Sequence, residues 1–499
     1  MEKMIKQTLI GRFVQEVINN SSYTQLDEYY LYNRVLNILA NHDEKLSANE
    51  SLDFLGLVNK LLEPFSDKTS NELECIRTEL MNFIVPVPSE INNKFWEKYQ
   101  VSVDAALEYL YHISQKSNYI KVEDNKKNEY FKYDSKYGEL EITINLAKPE
   151  KDPKDIAKLK SLATTNTYPE CQLCFENEGY EGRADFPAKT NHRIVRFNLE
   201  DEVWGLQYSP YAYFNEHCIF VDSIHQPMKI NQETFRRLLA IINTFPVYFA
   251  GSNADLPIVG GSILNHEHFQ GGRHTFAMAR AKARYKFKFA GFTGIDAEIL
   301  HWPMSVIRIR GAKQDQLVEL ATKILDKWKM YSDESVDVRS ESNGEEHHTI
   351  TPIARKKGNI FEMDLVLRDN QTSLQYPDGI FHPHQDVQNI KKENIGLIEV
   401  MGLAILPPRL KRELADIKDF LIGNNNSVAK KHATWVKKIQ ESHEKITSEN
   451  VDGIIKEEVG RTFTRVLEDA GVFKNDENGN AAFKRFIEFV GINEKEVIK

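Results

Sequence analysis

Apolar positions in the first hundred residues recur at helical spacing. Ile5, Leu9, Phe13 and Val17 fall four apart, and Leu31, Val35, Ile38 and Leu39 form the stripe of a helix with one buried side. Residues 52–62 are richer in leucine and predict a deeper helix. Near Tyr130 the period changes. Leu140, Ile142, Ile144 and Leu146 alternate with Glu139, Glu141, Thr143 and Asn145, the period of two of a half-buried strand. A charged, proline-punctuated stretch, 148–160, reads as a loop or linker. From there to Asp369 strand-like runs dominate, at 193–197, 217–221, 305–310 and 360–367, with helical patterns at 232–242 and 315–328. Beyond Pro407-Pro408 the chain turns helical again through Leu410, Leu414, Ile417 and Leu421. Gly423 and Asn424 to Asn426 end that helix, and Phe463, Val466 and Leu467 mark the last helical pattern.

Strands in irregular order with few helices predict an α+β fold on an antiparallel sheet rather than a doubly wound one. The polar, acidic run 335–347 reads as a boundary. The expected plan is a helical N-terminal domain (1–125), a first α+β half (126–334), a second β-rich half (335–409) and a helical C-terminal region (410–499).

Composition narrows the function by exclusion. A formal charge of −9 over 499 residues argues against nucleic acid or an anionic membrane as partner, since both need a positive surface. A small phosphorylated ligand stays possible, because a few basic groups in one pocket suffice. No stretch is long and apolar enough to cross a bilayer, and residues 1–23 lack the apolar core of a signal peptide. Four cysteines are too sparse for a disulfide framework, so a cytoplasmic protein is expected.

Candidate chemistry gathers at 260–272, Gly-Gly-Ser-Ile-Leu-Asn-His-Glu-His-Phe-Gln-Gly-Gly. On an extended chain His266, His268 and Gln270 share one face. Two imidazoles and an amide suit a phosphate, a metal, or both, and the glycine pairs allow close approach to backbone. A polar surface strand with clustered histidines is the plain alternative. Asn253 and Ser262, just upstream, are candidate phosphate or nucleotide contacts; Arg193 and Arg196 are looser ones, equally readable as solvated strand arginines. Cys171 and Cys174 have the spacing of a zinc-chelating pair but make only half of a four-ligand site. His217 and His266 are candidates to complete it, and two ordinary buried cysteines remain the other reading. His382-Pro383-His384 is a second His-x-His run. Gln385 follows it directly and would face the other way, so a structural or metal role fits it better than catalysis.

Asn253, Ser262 and the His266-x-His268-x-Gln270 run resemble the active-site segment of galactose-1-phosphate uridylyltransferases, the transferase branch of the histidine-triad superfamily. His-Glu-His-Phe-Gln-Gly-Gly, a length near 500 and the helical N-terminal block are similar to the type 2 form of Gram-positive bacteria. The Cys171/Cys174 pair, Trp302-Pro303 and His382-Pro383-His384 followed by 395–400 resemble segments of the type 1 form, which has proline where this chain has Glu267. The resemblance implies a histidine-triad-like core of two related halves, and transfer of a uridylyl group from UDP-glucose to galactose 1-phosphate. It implies a covalent uridylyl-histidine on His268, with Gln270 steadying the phosphoryl group and His266 in a structural or metal-linked role. It also implies small-molecule substrates, a homodimer and no organic cofactor, with zinc at Cys171 and Cys174 as an option; His217 stays a further candidate ligand from the residues themselves. The rival readings are another nucleotidyltransferase or phosphorylase using the same histidine run, and a non-catalytic metal-binding protein in which His266, His268, Cys171 and Cys174 are all ligands.

Overall fold

Side-chain caps set where the N-terminal helices begin. Thr8 accepts from the Gly11 amide ahead of Leu9–Asn20, Asp53 from Gly56 ahead of Phe54–Leu62, and Ser102 from Ala105 ahead of Val103–Lys116. Thr69 and Glu72 form a reciprocal capping box at the head of Ser70–Asn82. These caps satisfy amide donors that a first turn leaves without partners. Together with Glu28–Ile38 and Pro88–Tyr99, the helices bury Leu9, Phe13, Val17, Leu31, Val35 and Leu39, the stripe expected from their spacing. The computed structural model describes residues 8–44, 52–147, 168–183, 185–261 and 263–492. Ile5 and the expected linker at 148–160 lie outside them. Among the described residues no helix is long and apolar enough to cross a membrane.

Ten strands then build one antiparallel sheet. The first five are β3 (Val195–Leu199), β4 (Glu202–Tyr208), β5 (Cys218–Asp222), β6 (Phe249–Gly251) and β7 (His268–Gly272), preceded by a hairpin of β1 (Glu129–Ser135) and β2 (Gly138–Ile144). The other five are β8 (Ala283–Phe287), β9 (Asp296–Leu300), β10 (Val306–Gly311), β13 (His348–Lys357) and β14 (Ile360–Asp369), with a small hairpin, β11 (Glu341–Ser342) and β12 (Glu345–Glu346), between β10 and β13. The sheet order is β3-β4-β5-β7-β6-β13-β14-β10-β9-β8. From either edge inward, the strands of each set come in the order first, second, third, fifth, fourth. Each set places one long helix between its third and fourth strands, Gln232–Thr244 and Gln314–Lys329. β6 and β13 meet antiparallel at the centre, with Gly251 opposite Ile353. The core is therefore α+β and made of two related halves.

The division between those halves differs from the one expected at 335. β8, β9 and β10 pair with one another and with β14, so the change falls between Gly272 and Ala283. Much of the polar run 335–347 is the exposed β11–β12 hairpin, 341–346, which lies inside the second half.

The Leu140–Ile144 strand also lies elsewhere than in the main sheet. β2 pairs with β1 on one side and, parallel, with β15 (Leu403–Leu406) on the other. Helices Arg409–Leu421, Ala433–Ser442 and Val451–Ala470 share a second core with that small sheet, where Leu140 and Ile142 meet Trp302, Leu403, Phe463 and Leu467. A last helix beyond the one marked by Phe463, Glu477–Val490, carries Phe486 to the Trp328 ring, 5.2 Å away.

Both long helices cover one face of the main sheet. Phe235, Leu238, Leu317 and Ile324 share a core with Phe220, Phe269, Ile307 and Leu365. Alternation along β7 then turns His268 and Gln270, the neighbours of Phe269, to the opposite face. The edge strand β3 is closed by side chains of Pro88–Tyr99: Asn92 accepts from the Arg196 amide at 2.7 Å and the Trp96 indole donates to the Arg196 carbonyl at 3.0 Å. Pairing an edge in this way removes a site for unwanted strand addition.

In the second half the face that carries His268 in the first is filled by charge. Asp364, fully buried, takes two hydrogen bonds from Arg308, at 2.5 and 2.9 Å, and a third from Arg355. Those cations hold its carboxyl below the usual range although burial alone would raise it. Removing one partner of such a network leaves buried charge uncompensated. Asp364→Ala is expected to destabilise the protein by about 3–5 kcal/mol, read as a lowered denaturant midpoint; a change under about 1 kcal/mol would show that the arginines find other partners.

Candidate functional site

The approach to β7 is a tight loop laced to the end of β5. The Asp222 amide donates to the Glu267 carbonyl and the Glu267 amide to the Gln226 carbonyl, at 3.1 and 2.7 Å. Asp222 also organises the turn after it, its carboxylate accepting from the Ile224 amide and the Gln226 side chain. Glu267 points to the helix side, where it pairs with Arg237 at 2.9 Å. His266 and His268 are both buried on the other side.

The two histidines have different partners, and this separates their roles. His266 Nε2 donates to the Asp222 carbonyl at 2.9 Å, so its Nδ1 presents a lone pair. That lone pair faces two sulfurs, Cys171 Sγ at 3.2 Å and Cys174 Sγ at 3.5 Å. A fourth group arrives from the turn: His225 Nδ1 lies 3.1 Å from Cys174 Sγ. The two sulfurs are 3.5 Å apart, and all four donor atoms lie within 4.8 Å of one another. Zinc with bonds of about 2.0–2.3 Å to nitrogen and sulfur needs tetrahedral edges of roughly 3.3–3.8 Å. The residues therefore fit a zinc ion. Asn177 donates to the Cys171 and Cys174 carbonyls at 2.7 and 2.8 Å and fixes the knuckle.

His268 stands outside that cluster. Its Nδ1 donates to the carbonyl of His266 at 2.8 Å, which leaves the Nε2 lone pair free of a proton. Burial pushes its pKa down to about 4, so the ring is neutral at physiological pH. Gln270, two residues on, is half-buried and opens the site towards solvent. A neutral nucleophilic nitrogen beside an amide donor is the arrangement that attack on phosphorus requires.

Three expectations change. His217 is remote from the cysteines; its Nε2 lies 3.2 Å from Gln270 Oε1, because β5 pairs with β7 and sets the two side by side. Arg193 is a buried anchor rather than a ligand contact. Its guanidinium donates to the carbonyls of Pro86, Thr190 and His192 and to Asn82, tying the N-terminal helices to the sheet. Arg196 pairs with Glu178 and lies over the Phe175 ring. In the second His-x-His run, His384 donates to the Ile380 carbonyl at 3.0 Å and stacks on Tyr376, a hydrogen-bonded loop. Among the described residues the only metal-compatible group is Cys171, Cys174, His225 and His266.

Asn253 is buried, and its Oδ1 accepts from the Leu397 amide at 2.9 Å, holding the 396–397 backbone against the first half. A Cβ on Gly261 would lie 2.5 Å from Asn253 Nδ2, which accounts for glycine there. Ser262 lies outside the described residues. His225 is hard to pick out from the sequence. Its only local signal was a histidine three residues past the Asp222 end of a strand, and its partnership is made by folding.

Comparison with known proteins gives two family matches. Residues 21–227 match a model described as "Galactose-1-phosphate uridyl transferase, N-terminal domain", and residues 241–437 match the corresponding C-terminal domain. A galactose-1-phosphate uridylyltransferase of Ligilactobacillus salivarius is 57% identical over 495 residues, 98% of this chain and 100% of that protein. One of Streptococcus mutans is 53% identical over 489 residues, covering 97% and 99%. The solved structure of a yeast Ap4A phosphorylase aligns with 61% of this chain and 90% of its own at 13% identity and a TM-score of 0.31.

The His268 ring is expected to keep its Nδ1–H tautomer and to titrate near pH 4. Nitrogen-15 NMR of histidine-labelled protein, assigned with His268→Asn, reads both. A midpoint near the ordinary 6.5 or so would mean that the ring is solvated rather than buried.

Proposed function

The chain belongs to the galactose-1-phosphate uridylyltransferase family, and from that premise we propose a two-step transfer through His268. The enzyme converts UDP-glucose and galactose 1-phosphate into glucose 1-phosphate and UDP-galactose. In the first step His268 Nε2 attacks the α-phosphorus of UDP-glucose. A bond forms from nitrogen to phosphorus, and the bond from phosphorus to the bridging oxygen breaks, releasing glucose 1-phosphate. In the second step a phosphate oxygen of galactose 1-phosphate attacks the same phosphorus and the imidazole leaves.

The observation that carries this reading is the hydrogen bond from His268 Nδ1 to the His266 carbonyl. It selects the tautomer with a nucleophilic Nε2. It also supports the positive charge that the ring develops when Nε2 bonds to phosphorus. Burial adds to the effect by keeping the ring unprotonated well below pH 7. Dividing the transfer at a covalent intermediate spares two phosphate-bearing substrates from meeting directly. Gln270 supplies a neutral donor for the non-bridging oxygens, and loss of one such donor costs on the order of a hundredfold in rate. Asn253 acts through the backbone it holds, Gly396-Leu397.

Cys171, Cys174, His225 and His266 would hold zinc as a closed set of four protein ligands, the pattern of a structural site without an open position. A zinc ion bound there supplies a crosslink rather than chemistry on the substrate. His266, held in that set and by the Asp222 carbonyl, would keep its own carbonyl in place to orient His268. No organic cofactor enters the scheme. Because both substrates are phosphorylated metabolites, the enzyme works in the cytoplasm, and the family relationship favours a homodimer.

Two experiments test these assignments. Incubation with UDP-glucose labelled in the uridylyl group should leave label on the protein, and His268→Asn should abolish it; label surviving that substitution would remove His268 as the nucleophile. Metal analysis should find about one zinc per chain, lowered in Cys171→Ser and in His225→Ala. Full zinc content in both variants would overturn the four-ligand site.

A further inference from the structure

We propose that His217 is a positioning residue that sets which end of the Gln270 amide meets the transferred phosphoryl group. The inference rests on the role given to Gln270 above and deepens it. His217 immediately precedes β5, and Ile219 is the ladder partner of Gln270. Alternation puts residue 217 on the same face as 219, diagonal to Gln270 and within reach of it. The contact is direct, 3.2 Å from His217 Nε2 to Gln270 Oε1. A carboxamide oxygen can only accept, so the shared proton sits on His217. The Gln270 amino group then faces away from His217, where it can donate to a phosphoryl oxygen.

The surroundings leave the imidazole little freedom. His217 is 4% exposed, and its ring lies 4.6 Å from that of Phe214 and 5.4 Å from that of Tyr213. The residue before it, Glu216, has φ +54, an unusual conformation for a side-chain-bearing residue that turns the chain into β5. Its carboxylate is held by the Tyr248 hydroxyl at 2.6 Å and by Arg273 Nε at 3.0 Å. A Cβ on Gly272 would come within 2.5 Å of the Glu216 carbonyl, so β7 is packed directly against this bend. Burial also pushes the His217 pKa down to about 4, so near neutrality the ring is uncharged and carries a single N–H. A charged ring there would compete with Gln270 for the phosphate; a neutral one directs the amide without attracting the anion itself.

The experiment measures the single-turnover rate of uridylyl transfer from UDP-glucose to the protein, UDP-glucose affinity and zinc content. The variants are His217→Phe, His217→Gln, Gln270→Ala and the double substitution of His217→Phe with Gln270→Ala. His217→Phe is expected to slow transfer roughly tenfold to a hundredfold, with affinity and zinc content near those of the native enzyme. In the Gln270→Ala background it should add little, because the group it positions is gone. His217→Gln keeps a donor at similar reach and should recover much of the rate.

Equal losses from His217→Phe in both backgrounds would overturn the proposal in favour of a structural role. Loss of zinc would overturn it in favour of metal ligation. If Gln270→Ala alone left the rate unchanged, the role of Gln270 would fail first and this inference with it. A slow Gln270→Ala beside an unaffected His217→Phe would sink this inference alone. Nitrogen-15 NMR of the unsubstituted protein needs no variant to fold: it should show His217 as the Nε2–H tautomer. An Nδ1–H tautomer, turned to the Tyr211 backbone on its other side, would present the amide oxygen to the phosphoryl group and overturn the proposal.

Discussion

The hydrogen bond from His268 Nδ1 to the carbonyl of His266 joins two residues of one short segment over 2.8 Å. Its geometry depends on the carbonyl being held still. The Asp222 carbonyl anchors the His266 ring, and the cysteine loop and the turn carrying His225 close around that ring from the other side. A neutral imidazole with its lone pair on Nε2 is the outcome. Three separate stretches of chain, at 171–174, 222–226 and 266–268, converge to decide the protonation state of a single atom. None of them needs to touch a substrate to matter.

The same sheet carries two opposite solutions on two related halves. In the first half the face opposite the long helices holds neutral groups, His268 and Gln270, with His217 beside them. In the second half that face is occupied by Arg308, Arg355 and Asp364, paired with one another and with Glu362 and the Met278 carbonyl. A saturated ion network rigidifies, but it has no spare lone pair and no spare donor to offer a ligand. The halves differ in the side chains on that face. The backbone architecture, the strand order and the position of the long helix are shared.

Much of this was legible in the chain itself. The spacing of Leu9, Phe13 and Val17, and of Leu31 and Val35, marks helices that do bury those positions. The alternation at 266–270 correctly groups His268 with Gln270 on one face. Other readings failed where local polarity stood in for topology. The acidic run 335–347 looked like a domain boundary because exposed hairpins and linkers share a composition. Arg193 looked available to a phosphate because nothing in its neighbourhood shows that Asn82 and the Pro86 carbonyl, more than a hundred residues earlier, would take its donors. His217 and His225 are eight residues apart in similar surroundings. Only strand pairing sends one to Gln270 and the other to the cysteines.

The sequence by itself determined the periodicities, and with them the helices, the strands and the shared face of His268 and Gln270, because side-chain direction within an element follows from backbone geometry alone. It determined that imidazole, thiol and amide groups were present in the needed numbers. The tertiary structure decided which of them meet. It completed the cluster of two cysteines and two histidines with His225, separated His266 from His268 by their hydrogen-bond partners, and turned His217 from a candidate ligand into a neighbour of Gln270. Those choices depend on distances of about 3 Å between residues tens of positions apart, and such distances arise only when sheet register and loop closure act together.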